Sequence, residues 1–104
     1  MILVTIDSIP GREIVEVLGI VRGGTVRSGH VGGDLSALLT NLVGGEMHEY
    51  TKLLAEVREQ VQDRMTAEAV ALGADAVVGV RFTSSEIASG AAEMMAYGTA
   101  VRLG

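Results

Sequence analysis

The sequence predicts an α+β fold: a mainly antiparallel sheet carrying one short and one long helix on one face, in the order β-β-α-α-β-β. Two observations lead there. Met47, Tyr50, Leu54, Val57, Val61, Met65 and Leu72 form one helical stripe through residues 46–72, and Gly73 follows it, the residue that ends helices in the left-handed conformation without a Cβ penalty. Segments that read as strands lie on both sides of this helix, at 2–6, 13–22, 76–83 and 94–103, several of them rich in the β-branched residues that fit a pleated surface.

Composition narrows the function classes. Hydrophobic residues at 48% against 20% charged supply enough apolar surface to offset the entropy of ordering, so the chain folds. Its 104 residues suffice for one core and fall short of two, and residues 1–104 read as a single domain. A net charge of -5 argues against nucleic acid and anionic membranes, which recruit clustered Lys and Arg. With no cysteine, disulfides, thiolate metal sites and a cysteine nucleophile are excluded, and a cytoplasmic location is expected. Residues 1–6 lack the basic region and length of a signal peptide, and no window reaches the ~20 apolar residues of a membrane span.

Taken in order, residues 2–6 are a short apolar run ended by Asp7, Ser8, Pro10 and Gly11, each a turn former. Ile14, Val15, Val17, Leu18, Ile20 and Val21 then place apolar side chains on both parities, as in a strand covered on both faces. Gly23 and Gly24 are expected to break it, with residues 25–27 continuing past a bulge and 28–33 forming a loop. Asp34 reads as the N-cap of a short helix through Leu35, Leu38, Leu39 and Leu42, ended by Gly44 and Gly45. After the long helix, Ala76, Val78, Val80 and Phe82 alternate with Val77, Gly79, Arg81 and Thr83. A loop at 84–92 leads to the last strand, with Ala96, Gly98 and Ala100 on one face and Met95, Tyr97, Thr99, Val101 and Leu103 on the other. Apolar residues on both parities of three strands exceed what two helices cover, so self-association is expected, with Val77 and Gly79 on the uncovered face.

The chain resembles the YbjQ-like family, which is labelled heavy-metal binding and has no known function. The resemblance rests on Gly44 and Gly45 before the long helix, on Tyr50, Leu54 and Arg58 along it, on the run from Leu72 through Gly73, Ala74, Asp75, Ala76, Val77, Val78 and Gly79 to Val80, and on the closing Gly98, Thr99, Ala100 and Val101. It implies a dodecin-like subunit that joins a ring-shaped homopentamer through added edge strands.

Few residues offer chemistry. Glu46, Met47, His48 and Glu49 are the one local group of ligand types, but Lys52 stands where the H-E-x-x-H zinc pattern needs its second histidine. A site there needs His30 or another subunit, and the plainer reading is a solvated, acidic helix start that complements the dipole. Ser28, Ser84, Ser85 and Ser89 sit in no nucleophile elbow. Gly29, His30, Val31, Gly32, Gly33 and Asp34 match neither the dinucleotide nor the P-loop pattern and favour a turn. Lys52, Glu56, Glu59 and Asp63 form a solvated helix face. Arg64 and Glu68, at i and i+4 on the apolar stripe, are expected to form a salt bridge facing a subunit boundary or wet cavity. Arg58 lies on the flank of that stripe, where its stem can cover apolar surface. Thr83, Ser84, Ser85 and Glu86 gather hydroxyls and a carboxylate at one end of the sheet, as a polar hairpin loop does. No catalytic residue is assigned and the metal ligands are unknown. The expectation is a non-enzymatic homo-oligomer holding a metal ion or small ligand at subunit interfaces, with a structural ring lacking any ligand as the alternative and a hydrolase built across subunits as a third reading.

Overall fold

A computed structural model describes residues 1–28, 47–88 and 91–104, with side chains over 1–26, 51–86 and 92–104. Its elements are β1 (Ile2–Leu3), β2 (Ile14–Ser28), α1 (Met47–Ala71), β3 (Ala76–Ala88) and β4 (Ala91–Leu103). The sheet order is β1-β3-β4-β2. β4 runs antiparallel to both β3 and β2, whereas β1 lies parallel to β3, so the sheet is mixed. The expected short helix at 34–42 lies outside the described residues.

The long helix forms where its stripe predicts. Val57, Val61, Met65 and Ala69 are buried, recurring every four residues on the face that meets the sheet. Gly73 ends it with φ +78, while Gly73 N–H donates to the Val70 carbonyl at 3.0 Å and Ala74 N–H to the Ala69 carbonyl at 3.1 Å. Those two bonds are the paired closure of a Schellman motif, which satisfies carbonyls the helix itself leaves open. Leu72 falls beyond the buried stripe and is exposed.

Beneath the helix the sheet is nearly bald. Val21, Ala96 and Ala100 are fully buried there with Val77 and Val80. A Cβ on Gly23 would collide with the Val61 carbonyl, the Met65 amide and the Arg64 Cβ, so the helix backbone rests directly on this strand. That close approach explains why Gly23 and Gly24 do not break β2. The strand runs unbroken through them, and its irregularities lie earlier, between Ile14 and Glu16 and between Val17 and Gly19. A glycine pair that reads as a turn is here a landing site for a helix.

The alternation expected of β3 fails at one residue. Gly79 has φ +63 and its N–H donates to the Ile6 carbonyl at 2.9 Å, and the register slips between Val78 and Arg81. The slip swaps faces. Val77, Val80 and Phe82 point to the helix side, opposite Ala100 and Ala96, while Val78, Arg81 and Thr83 share the other side with Thr99, Tyr97 and Met95. Val77 is therefore core under α1 and not part of an uncovered face. The polar stretch 84–92 is likewise mostly strand, since Ser84, Ser85 and Glu86 pair with Met94, Glu93 and Ala92.

The second face is partly covered by an element that periodicity does not show. Residues 4–12 fold back as an arm, so that Val4 and Ile9, together with Ile14 at the start of β2, pack on buried Ala76, Val78, Val101 and Leu103. Asp75 ties the same region together: its carboxylate Oδ2 accepts from Leu103 N–H at 2.8 Å, and its own N–H donates to the Val101 carbonyl at 2.9 Å.

Two stability effects are expected. Gly23→Ala forces α1 off the sheet and costs about 1–3 kcal/mol as an overpacking change, read as a lower Tm or denaturant midpoint with unchanged m-value. Asp75→Ala leaves the Leu103 amide unpaired and costs about 1–3 kcal/mol, whereas Asp75→Asn keeps an acceptor and loses less in the same measurement.

Candidate assembly and ligand interface

The arm is anchored by backbone and side chain together. Val4 N–H donates to the Val77 carbonyl and Val80 N–H to the Val4 carbonyl, both at 3.0 Å, which prolongs the β1·β3 pairing past Leu3. Arg81 Nη1 donates to the carbonyls of Thr5 at 2.8 Å and Val80 at 2.9 Å, and Arg12 Nε reaches the Gly104 carbonyl at 3.3 Å. An arginine that sequence alone places on a strand face is thus a clamp on the arm.

Coverage stops short of β2. Val17 is 67% exposed and Ile20 66%, although Ile20 lies beside Thr99 and Val17 beside the buried Val101. Val26 and Tyr97 are also exposed, with Tyr97 between Arg22 and Arg81 in the register. This side of β2 and β4 is an apolar strip crossed at Tyr97 by Arg22 of β2 and flanked there by Arg81 of β3. On the opposite face α1 rests mainly over β2 and β4, leaving a groove of ≈ 180 Å³ between Leu3, Val4, Thr5, Gln62, Val80 and Phe82. The groove is lined mostly by carbon and carries no cluster of polar groups that would orient a substrate.

Arg64 and Glu68 do not pair with each other. Arg64 Nη1 donates to the Gly24 carbonyl at 2.6 Å, and Glu68 Oε1 accepts from Arg22 N–H at 3.3 Å. Both side chains are solvent-exposed, so the expected buried pair is replaced by two bonds to the backbone of β2. The reason is geometric: β2 is an edge strand, its outer peptide groups need partners, and the helix resting on Gly23 brings both side chains within reach. Glu16 and Arg102 form an ion pair at 2.9 Å, exposed and therefore worth little.

The sequence-designated metal residues are not brought together by anything described. His30 and Glu46 lie outside the described residues, as do the side chains of His48 and Glu49, which sit in the first turn of α1. Among the described residues no three His, Asp or Glu side chains form a group able to hold a metal ion. Arg58 is exposed on α1, and Thr83, Ser84, Ser85 and Glu86 are exposed on β3. Among the described residues no helix is long and apolar enough to cross a membrane.

Comparison with known proteins places this architecture. Residues 1–104 match the family model YbjQ_1, described as "Putative heavy-metal-binding". The chain belongs to the YbjQ family. A UPF0145 protein of Archaeoglobus fulgidus is 55% identical over 103 residues, covering 99% of this chain and 95% of its own length. One from Halorubrum lacusprofundi is 59% identical over 97 residues, 93% of either chain, and one from Thermus thermophilus 54% identical over 99, covering 95% of this chain and 87% of its own. The crystal structure of a protein of unknown function from Pediococcus pentosaceus, of the DUF74 family, superposes with a TM-score of 0.65 at 14% identity over 100% of this chain and 98% of that one. At that identity it shares the fold. These relatives are uncharacterised, and the family's label is metal binding and not an enzymatic activity.

The clasp made by Arg64 and Glu68 predicts a measurable effect. Arg64→Ala and Glu68→Ala each remove one bond to β2, cost about 0.5–1.5 kcal/mol, and speed amide exchange at Arg22 most strongly in Glu68→Ala, by hydrogen exchange read at single residues.

Proposed function

We propose that this protein is a non-enzymatic cytoplasmic homo-oligomer, a ring of five copies as the family resemblance implies, which holds a metal ion or small ligand at its subunit boundaries. The observation that carries the assembly is the strip of Val17, Ile20, Val26 and Tyr97 on β2 and β4, exposed although neighbouring Val78 and Val101 are buried. A self-contained subunit of this size seldom shows so much contiguous aliphatic surface, and a second copy is the partner always present. The ligand reading follows from the family label and from the lack of any polar, enclosed site within the described part of one subunit. A ring without ligand is the rival. Both readings leave catalysis out, in keeping with a family label that names metal binding and no enzymatic activity.

In native mass spectrometry and light scattering, the expected mass is five times the 10.8 kDa of one chain. Ile20→Lys, a change at an exposed position, is expected to lower that mass without loss of helical circular dichroism. A wild-type monomer at micromolar concentration overturns the assembly. Excess zinc, nickel or copper is expected to raise Tm by mass action, by the equivalent of about 2.7 kcal/mol at a hundredfold excess over Kd, and His48→Ala to abolish the rise. No shift with any of the three metals, together with no retained small molecule in the native spectrum, favours the ligand-free ring.

A further inference from the structure

β2 is a long edge strand. It runs for 15 residues at one end of the sheet, with β4 on one side and no strand on the other among the described residues. From Gly19 to Ser28 its register with β4 is unbroken. That regular stretch exceeds the roughly five or six residues of a common strand, and an edge of this kind invites an extended chain to pair with it. The side chains along it add to the hazard. Ile20 is 66% exposed and Val26 53%, and both are β-branched residues that gain cross-strand neighbours when another strand arrives.

Alternate residues of an edge strand turn their N–H and C=O groups outward. Arg22 and Gly24 are two successive residues of that set, and α1 engages both: Glu68 Oε1 accepts from the Arg22 N–H, and Arg64 Nη1 donates to the Gly24 carbonyl. At i and i+4 the two side chains could have paired with each other, although arginine before glutamate is the weaker order. We propose that Arg64 and Glu68 guard the β2 edge, keeping stray extended chains, another copy of this protein first among them, from adding a strand to it. A strand crossing residues 22–24 must displace one charge-assisted bond at each outward residue, together with the side chain that makes it. The stretches left on either side, 19–21 and 25–28, are shorter than a common strand. Nearer its start the edge is blunted differently, by the register shifts between Ile14 and Glu16 and between Val17 and Gly19, with Gly19 at φ +129, since such irregularities twist an edge away from a partner. The guarding role is independent of the assembly reading, because it concerns the edge of β2 and not the sheet face that carries Val17, Ile20, Val26 and Tyr97.

The Arg64→Ala/Glu68→Ala double variant tests the guard against wild type at matched concentration. It is expected to keep its helical circular dichroism and, on incubation, to grow past the wild-type mass in light scattering with rising thioflavin T fluorescence. Arg64→Lys/Glu68→Gln retains a donor and an acceptor at the two positions and is expected to stay at the wild-type mass. Asp75→Ala, which removes a backbone bond away from residues 22–24, is expected to stay there too despite its lower stability. In the species grown from the double variant, the Arg22 and Gly24 amides are expected to be protected from hydrogen exchange. A double variant that keeps the wild-type mass, an Asp75→Ala that grows as fast, or grown species in which those two amides exchange freely each overturns the proposal. Should the double variant fail to fold, Arg64→Ala and Glu68→Ala are read singly, with the same outcomes deciding.

Discussion

Everything in this subunit depends on how closely α1 lies against β2. The helix backbone touches the strand at Gly23, where no side chain fits. Dispersion and burial are maximal at such an approach because no side chain holds the two backbones apart. Val57, Val61, Met65 and Ala69 then fill the space on either side of the contact. The helix is consequently centred over β2 and β4 and not over the middle of the sheet, which leaves Phe82 and the β3 side of the same face partly open.

That off-centre position has an electrostatic consequence. Because α1 lies at the sheet's margin, Arg64 and Glu68 extend past it and meet the outer peptide groups of β2. A polar pair on an apolar stripe thereby ceases to be a burial problem: each side chain stays solvated and satisfies a backbone group that would otherwise compete for any passing strand. Among the described residues the opposite margin has no helix over it. There the arm and Arg81 hold β3 only as far as Val80, and the asymmetry between the margins gives the subunit a direction.

Much of the fold was legible in the residues, and the misreadings have physical causes. The stripe from Val57 to Met65 and the stop at Gly73 are local, set by helical period and by one residue's freedom at positive φ. The glycine pair at 23 and 24 was misread as a break because a backbone-to-backbone approach and a turn call for the same residue. The face of Val80 and Phe82 was inverted by one slip at Gly79, a change of parity that composition does not mark. Arg64 and Glu68 were recognised as unusual, but their partners are forty or more residues away. The metal-ligand group around His48 can be named from the sequence, while its donors depend on residues that no described contact unites.

The sequence by itself determined the α+β class, the long helix and its end, an aliphatic core, the exclusion of thiol chemistry and the family. These follow from local propensity, periodicity and composition, which act over a few residues at a time. Only the tertiary structure decided that β1 runs parallel to β3, that residues 4–12 cover part of the second face, that Gly23 is a helix seat, and that Arg64 and Glu68 clasp the β2 edge. Each of these joins residues distant in the chain, and such pairings are chosen by how whole elements fit together and satisfy one another's backbone groups.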